Sequence, residues 1–393
     1  MSRFSRTARV LAGVTLMGVA LLPGAVGAAA QTAPGSVMSS VPEQMASDPA
    51  TEVSAPALSN TGRYVAYLAT RRDQSPFRQQ LRRTDMTNGA TVLVNRSIDG
   101  GVAKGNYSRP PALSADGSRV AFTTTATRLV ADDTNGRNDA FVRDVSTATT
   151  YLASAAFDGG VANGASGMTS LSKNGRYEVF TSGATDVVPG STTTNSDVYR
   201  RDLDGQTTVQ VTVRPNGAPS KGPGSNSADV SADGNLVAFD SYDTDLAPAD
   251  GADHEADLFV RNMTTGQTRW LSNGLPVGAN PSGVVIAPDG GWVSSRWADG
   301  SLHLTRVESA VTSTVVSEGY ALHGAFSSQL GRLVFVSAGK PYVRDLAMSV
   351  NTAITTPLGG FVTNVTISGN GQFAAYDWFP DDGSASVIFR VSL

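Results

Sequence analysis

Short runs of alternating apolar and polar residues follow one another along the chain, rich in β-branched and aromatic side chains. This alternation is typical of β-strands, and beyond the first 30 residues no segment repeats its apolar positions with the period of a helix. One run, LSADGSRVAF at 113–122, recurs as LSNTGRYVAY at 58–67, LSKNGRYEVF at 171–180 and VSADGNLVAF at 230–239. The pattern therefore predicts an all-β protein built from repeats.

The glycine of the recurring turn marks seven repeats, spaced 40 to 59 residues apart. These glycines are Gly62, Gly117, Gly175, Gly234, Gly290, Gly331 and Gly371. In the second repeat four strands are predicted, at 110–114, 119–125, 139–145 and 149–154. A four-stranded unit of this length is typical of one blade of a β-propeller. We therefore expect a seven-bladed β-propeller, with six blades as the alternative because the last three repeats depart from the pattern.

The last repeat contains three strands, and its missing fourth strand is expected at the other end of the sequence. Residues 36–59 align without gaps with residues 91–114, which places a strand of the last blade at 36–40 (SVMSS). An N-terminal strand there would pair the exposed edge of the last blade and close the ring. Residues 36–393 are accordingly predicted to form a single propeller domain.

The first 30 residues have the pattern of a secretory signal peptide. Arg3, Arg6 and Arg9 precede an apolar run at 10–22, and small residues follow at 25–31. Residues 31–35 are expected to form a flexible lead-in. The run is too short for a membrane span, so we expect cleavage at about residue 30 and a secreted, extracellular protein without a membrane span in its mature chain.

Composition narrows the possible functions. The chain has no cysteine, which excludes disulfides and thiolate chemistry, and its formal net charge of −4 disfavours nucleic acid as a partner. The three histidines, His254, His303 and His323, do not have the spacing of a zinc site. We expect a monomer with no required cofactor.

The turn-and-strand motif LSADGSRVAF, followed by DAFVRDVSTATT at 139–150, resembles the repeat of TolB-like β-propellers, the PD-repeat relatives of WD-repeat proteins. The resemblance is to exported members found in high-GC Gram-positive bacteria, and it extends over nearly all of 36–393. It implies a protein that acts through contacts with other proteins.

Several repeated residues have a structural interpretation. Asp116 with Gly117, and Asp233 with Gly234, are typical of a tight turn in which the carboxylate accepts backbone N–H groups. An arginine recurs on the third strand, and we expect these arginines to tie neighbouring blades together, with an anion-binding ring as the functional alternative. They are Arg143, Arg201, Arg261, Arg306, Arg344 and Arg390. Five further arginines within 69–83 are interpreted as a solvated outer face, or as a patch for an acidic partner.

The candidate binding residues lie in long loops that the predicted topology gathers on one face, here called the top face, over the first four blades. We expect longer second-to-third-strand loops at 69–79, 124–138, 182–196 and 241–256, and binding residues concentrate in such loops. The ligand-binding candidates are Asp132, Asp133, Asn135, Asp250, Asp253, His254 and Glu255. Asp133, Asn135 and Asp139 also resemble a calcium loop, although turn and strand-start hydrogen bonds are the alternative explanation.

These observations favour an exported, non-enzymatic scaffold that binds a protein, a peptide or a polymer of the cell envelope through the top-face loops of blades 1–4. The alternative is a carbohydrate-active propeller enzyme, a hydrolase or lyase, which would need two carboxylates at the channel mouth. The sequence contains no nucleophile motif that would favour the enzyme over the scaffold.

Overall fold

The β-strands of the computed structural model are all antiparallel, and the structure describes residues 43–45, 50–73, 78–107, 109–191, 195–220, 222–247, 255–276, 278–317 and 321–393. The strands are β1 (Glu43–Gln44), β2 (Thr51–Leu58), β3 (Tyr64–Arg71), β4 (Arg78–Asp85), β5 (Thr91–Leu93), β6 (Ala112–Leu113), β7 (Arg119–Thr124), β8 (Asp139–Asp144), β9 (Thr149–Leu152), β10 (Ser166–Leu171), β11 (Tyr177–Ser182), β12 (Asp197–Asp202), β13 (Thr207–Gln210), β14 (Ser225–Val230), β15 (Leu236–Ser241), β16 (Asp257–Asn262), β17 (Thr268–Trp270), β18 (Ser282–Ile286), β19 (Trp292–Arg296), β20 (Leu302–Arg306), β21 (Thr312–Val316), β22 (Ala321–Phe326), β23 (Arg332–Ser337), β24 (Lys340–Asp345), β25 (Val350–Ala353), β26 (Gly360–Ile367), β27 (Phe373–Pro380) and β28 (Val387–Ser392). Within these ranges no helix has the length and apolar character to cross a membrane.

The strands form seven four-stranded sheets, each a blade whose strands A to D follow chain order from the centre outwards. Blades 1 to 6 are β2–β5, β6–β9, β10–β13, β14–β17, β18–β21 and β22–β25, and blade 7 is β26, β27, β28 and β1. The prediction of a seven-bladed β-propeller is confirmed.

The N-terminal strand closes the ring, as predicted. β1 pairs with β28, with Glu43 opposite Arg390 and Gln44 opposite Phe389, so the last blade gains its fourth strand from the start of the domain. The segment we expected there, residues 36–40, lies outside the described residues, and the observed strand comes three residues after it. This fourth strand covers the outer edge of β28, which would otherwise carry unpaired backbone groups.

Seven apolar clusters hold the ring together, and each lies between two successive blades. Successive residues of one strand supply different clusters: Val120 and Phe122 pack against blade 1, whereas Ala121 packs against blade 3. Both faces of the strand are therefore buried, because each blade has a neighbour on either side. The seventh cluster joins Val65 of blade 1 to Ile388 of blade 7 and seals the ring.

Paired aromatic rings fill the same place in five blades, on facing residues of strands B and C. In blade 2 the rings of Phe122 and Phe141 are stacked with centroids 5.9 Å apart. The counterparts are Phe180 with Tyr199, Phe239 with Phe259, Phe335 with Tyr342 and Tyr376 with Phe389. Such pairs contribute about 0.5–1.5 kcal/mol beyond the burial of their area.

The recurring A–B turns form a belt of backbone hydrogen bonds at the bottom of the ring, opposite the top face. Each bond joins the turn of one blade to the turn of the next, which explains why the turn recurs. The bonds run from the N–H of Asn60 to Ala115 (2.8 Å), Ala115 to Lys173 (2.8 Å), Asn174 to Ala232 (3.2 Å), Ala232 to Pro288 (2.9 Å), Gln329 to Gly369 (2.8 Å) and Asn370 to Asn60 (2.8 Å).

Within each turn the predicted local chemistry is visible. The carboxylate of Asp116 accepts hydrogen bonds from the Ser114 hydroxyl (2.6 Å) and from the N–H of Ser118 (2.9 Å), and these bonds outweigh burial and lower its pKa. Asp233 makes the equivalent bonds in blade 4. Gly117 has φ +73°, and a Cβ there would lie 2.3 Å from the ring of Tyr64 in blade 1, so both conformation and close approach require glycine.

In blade 6 the turn differs from our expectation by one residue. The hydroxyl of Ser327 accepts the N–H of Arg332 five residues later, as the Ser114 hydroxyl does in blade 2. This register puts Leu330, with φ +63°, at the corner where we expected Gly331. A left-handed leucine is strained, which marks this turn as a departure from the repeat.

Among the described residues, one of the six arginines expected to tie neighbouring blades together, Arg390, donates across a blade boundary. The guanidinium groups of Arg143, Arg201, Arg261 and Arg344 donate to a side chain on strand D of their own blade. Arg306 and Arg390 occupy a different position along strand C from these four arginines. In blade 5 the strand B residue Val293 pairs with Thr305 and not with Arg306, and in blade 7 Arg390 pairs with Ala375.

A different set of arginines donates across the blade boundary to the carbonyl oxygen at the turn-glycine position of the next blade. The pairs are Arg83 with Gly117 (2.5 Å), Arg119 with Gly175 (2.9 Å), Arg200 with Gly234 (2.6 Å), Arg332 with Gly371 (2.8 Å) and Arg390 with Gly62 (3.0 Å). Three of them also lie over an aromatic ring of their own blade: Arg83 over Tyr64, Arg200 over Tyr177 and Arg390 over Phe373. Arg83 thus belongs to the interior of the ring and not to a solvated face.

Candidate functional site

Three short β-hairpins rise from the top face where strand D of one blade leads to strand A of the next. We call them finger 1 (95–103), finger 2 (154–162) and finger 3 (212–220). Each is closed by one antiparallel bridge, between Arg96 and Val102, Ala155 and Val161, and Val213 and Pro219.

The turn at each fingertip has the same chemistry. In finger 1 the N–H of Gly100 donates to the carbonyl of Ser97 (2.9 Å), and the Asp99 carboxylate accepts the N–H of Gly101 (3.2 Å). Asp-Gly and Asn-Gly recur at 158–159 and 216–217, and glycine supplies the positive φ that such a hairpin turn requires. We did not predict these hairpins, although the repeated Asp/Asn-Gly between apolar residues is the sequence signal of one.

Each finger is fixed to the B–C loop of the following blade, so the fingers are held rigidly. The N–H of Ile98 donates to the carbonyl of Arg128 (2.9 Å), and the N–H of Phe157 donates to that of Asp186 (2.8 Å). Finger 3 is held by an ion pair between Arg214 and Asp245 (2.9 Å).

The fingertips present apolar side chains to solvent. Ile98 is 58% exposed, Phe157 is 63% exposed, and Pro215 occupies the same position on finger 3. Single exposed apolar side chains also occur elsewhere, such as Val311 and Leu358, but these three occupy the same position on successive hairpins. The row of three tips is therefore the strongest candidate for a binding surface among the described residues.

The predicted acidic loop of blade 2 is partly assembled. Asp133 is 1% exposed, burial raises its pKa, and its Oδ1 has no hydrogen-bond partner among the described residues. The Asn135 amide donates to Asp139 (3.2 Å), while its oxygen accepts the N–H of Arg137 (2.7 Å). Asn135 therefore directs its NH2 group towards Asp139. A cation shared by the two residues would need the amide oxygen of Asn135 in that place. Asp132 is exposed.

Asp139 has a structural partner that recurs. The hydroxyl of Ser154 donates to Asp139 (3.1 Å) and accepts the N–H of Ala140 (3.0 Å), which fixes the start of strand C against the end of strand D. The counterparts are Thr212 with Asp197 and Ser272 with Asp257. Burial raises the pKa of Asp139 to about 6, and the nearby Asp133 adds to this effect.

The second acidic loop contributes one described candidate. The carboxylate of Glu255 accepts the N–H of Gly278 (2.6 Å) and so links the B–C loop of blade 4 to the connection that follows strand D. Asp250, Asp253 and His254 lie outside the described residues. No group of three or more His, Cys, Asp or Glu side chains with metal-binding geometry occurs in the parts of the chain that the structure describes.

The central channel is lined by strand A of all seven blades and has a volume of about 240 Å³. Arg109 and Lys173 line it together with Asp229, which is the one carboxylate among the described lining residues. Asp229 accepts the Ser170 hydroxyl of blade 3 and the N–H of Ile286 in blade 5 (2.8 Å), so it joins three blades. Glycosidase chemistry requires a pair of carboxylates, and this lining does not supply one.

A serine, a histidine and an aspartate also meet on blade 5, but not as a nucleophile with its base. The hydroxyl of Ser301 donates to Asp299 (2.5 Å) and contacts the Nε2 of His303 (2.7 Å). A triad needs the carboxylate on the histidine and the serine proton on the ring nitrogen, which is the reverse of this arrangement. His303 is buried under the ring of Trp297, and burial lowers its pKa.

Fold and surface together define a seven-bladed β-propeller with a rigid, partly apolar top face over blades 1–4. No protein-family model matches the chain, and a search of curated proteins finds no match.

Proposed function

We propose that this protein is an exported, non-enzymatic scaffold that binds a protein, a peptide or a polymer of the cell envelope through the top-face loops of blades 1–4. The observation that carries the proposal is the row of fingertips, which hold Ile98, Phe157 and Pro215 outward on turns fixed to the neighbouring blade. Such preorganised apolar anchors bind partners at a low entropic cost. The resemblance of the repeats to TolB-like propellers agrees with a protein partner.

Export supports the choice of an envelope partner, and it rests on the signal-peptide pattern of residues 1–30. The enzymatic alternative draws no support from the described channel, because Asp229 is the one carboxylate among the described lining residues and its two oxygens accept hydrogen bonds that join blades. The acidic residues near the fingers, Asp132 and Glu255 among them, would form a polar rim around the apolar tips.

The test compares two surface variants for binding to a solubilised envelope fraction. The double variant Ile98→Ser and Phe157→Ser removes the fingertip anchors, and Leu358→Ser, at a site 97% exposed away from the fingers, is the matched control. We expect the double variant to lose at least ten-fold in the amount of each specifically bound partner, while the control retains it. Equal capture by all three proteins, quantified by mass spectrometry, would refute the fingertips as the binding surface.

A further inference from the structure

A groove on the outer side of blades 1 and 2 brings two arginines together beneath finger 1. Finger 1 forms one wall with Arg96 to Gly100, the B–C loop of blade 2 contributes 129–131, and the outer strands of blade 2 add Arg143 and Thr150. The groove has a volume of about 710 Å³, which is large enough for a small polar ligand.

The two guanidinium groups lack acidic partners. Arg96 is exposed and makes no hydrogen bond or ion pair within the described residues, and Arg143 donates only to the Thr150 hydroxyl (2.9 Å). Burial and then repulsion by Arg96 lower the pKa of Arg143, in keeping with two positive charges that share one groove.

The neighbouring carboxylates are engaged elsewhere. Asp99 pairs with Arg128 (3.1 Å) and accepts the N–H of Gly101 (3.2 Å). Asp144 pairs with Arg119 (3.3 Å) and accepts the Ser146 hydroxyl (2.6 Å). Asp99 in the groove wall and Asp144 beside Arg143 offset part of the positive charge, but each already has an arginine partner, so Arg96 and Arg143 remain without a carboxylate of their own.

The fold does not require the second arginine. The equivalent groove between blades 2 and 3 is lined by Arg201, which is bonded to Thr208 (3.1 Å) as Arg143 is to Thr150. Its finger has Ala155 where finger 1 has Arg96, and both residues form the same bridge. Arg96 therefore adds charge to a groove that other blades build without it.

We propose that this groove binds a phosphate or sulfate group between Arg96 and Arg143. Two planar guanidinium groups offer several N–H donors to the oxygens of a tetrahedral anion, and such charge-assisted hydrogen bonds are the strong ones. Binding would also relieve the repulsion between the arginines. The anion is either free or carried on a larger molecule, since the groove is open to solvent along its length.

The experiment titrates the full mature protein with inorganic phosphate and with glucose 6-phosphate by calorimetry, with sodium chloride and glucose as blanks at matched ionic strength. We expect saturable binding with a Kd below about 1 mM, a value that corresponds to about 4 kcal/mol. Tighter binding of glucose 6-phosphate than of inorganic phosphate would indicate a ligand that carries its phosphate on a larger molecule. Equal affinity would indicate that the ligand is the free anion.

Three variants decide the outcome. Arg96→Ala changes an exposed side chain, so it should fold normally and lose at least ten-fold in affinity, as should Arg143→Ala if its melting curve is unchanged. Arg201→Ala is the matched control and should bind phosphate like the parent. Absence of saturable binding by the parent, or equal binding by Arg96→Ala, would overturn the proposal.

Discussion

Glu178 is a fully buried carboxyl group, and its replacement by glutamine tests whether the folded protein keeps this group protonated. It lies on strand B of blade 3 at the position of Val120 in blade 2, opposite Arg201 on strand C. Thr169 donates its hydroxyl to Oε1 (2.5 Å), and Oε2 has no partner among the described residues. Burial raises the pKa of Glu178 to about 8, so the native protein holds it protonated at neutral pH.

The size and sign of the effect follow from proton linkage. In the unfolded chain Glu178 titrates near 4.5, so between pH 4.5 and pH 8 the unfolded state releases a proton that the folded state keeps. The free energy of unfolding should fall by about 1.4 kcal/mol for each pH unit in this window and level off above it. At pH 7 the cost is about 3 kcal/mol, which glutamine avoids because it stays neutral and can accept the same hydrogen bond from Thr169.

The assay is urea unfolding of the parent and Glu178→Gln at pH 5, 6, 7 and 8, with Glu308→Gln on an exposed turn as the matched control. We expect the stability gain of Glu178→Gln to be below about 1 kcal/mol at pH 5 and to grow towards about 3 kcal/mol at pH 7. The control should show no such trend. A gain that does not change with pH would refute a protonated Glu178 in the native state.

Two further predictions concern the joints between blades. Gly117→Ala should cost about 1 kcal/mol for its positive φ and a further 1–3 kcal/mol for the clash with Tyr64, whereas Gly89→Ala, with the same φ and open space, should show only the first cost in urea unfolding. Arg390→Met removes the hydrogen bond to the carbonyl of Gly62 across the closing joint and should lower stability by about 1–2 kcal/mol; a melting temperature equal to that of the parent would show that this tie is dispensable.

The sequence was sufficient to predict the architecture because each repeat is defined by a local pattern of residues. A tight turn followed by an alternating strand fixes one blade corner, and counting these corners gives the blade number. The short last repeat indicated closure by the N-terminus, which the pairing of Glu43 with Arg390 confirms. Strand limits in blade 1 were less accurate: β3 and β4 pair out to Arg71 and Arg78, so residues 69–71 and 78–79 of the expected loop belong to strands.

The inter-blade arginines could not be assigned from the sequence, because a one-residue shift along a strand moves a side chain to the opposite face. Arg200 and Arg201 are adjacent, yet Arg200 reaches the next blade at Gly234 and Arg201 stays within its own at Thr208. Only the pairing register separates these roles. The groove beneath finger 1 was hidden for a related reason, since Arg96 and Arg143 meet through tertiary structure alone.

The departures from the repeat converge on one joint, between blades 5 and 6. Pro288 stands at the turn position that donates the belt bond in blades 1, 2 and 4, and proline has no N–H to donate; among the described residues no belt bond runs from blade 5 to blade 6. The corner of blade 6 is the strained Leu330, and among the described residues no arginine donates to its carbonyl. This joint is held by its apolar cluster, around Leu304 and Phe335, and by a hydrogen bond from the Asn351 amide to the carbonyl of Val315 (3.0 Å). The three fingers lie over the joints between blades 1 and 2, 2 and 3, and 3 and 4, and each of these joints has both a belt bond and an inter-blade arginine. The exposed apolar tips therefore occur over joints that have both kinds of directional hydrogen bond, as expected for a surface that must keep its shape when a partner binds.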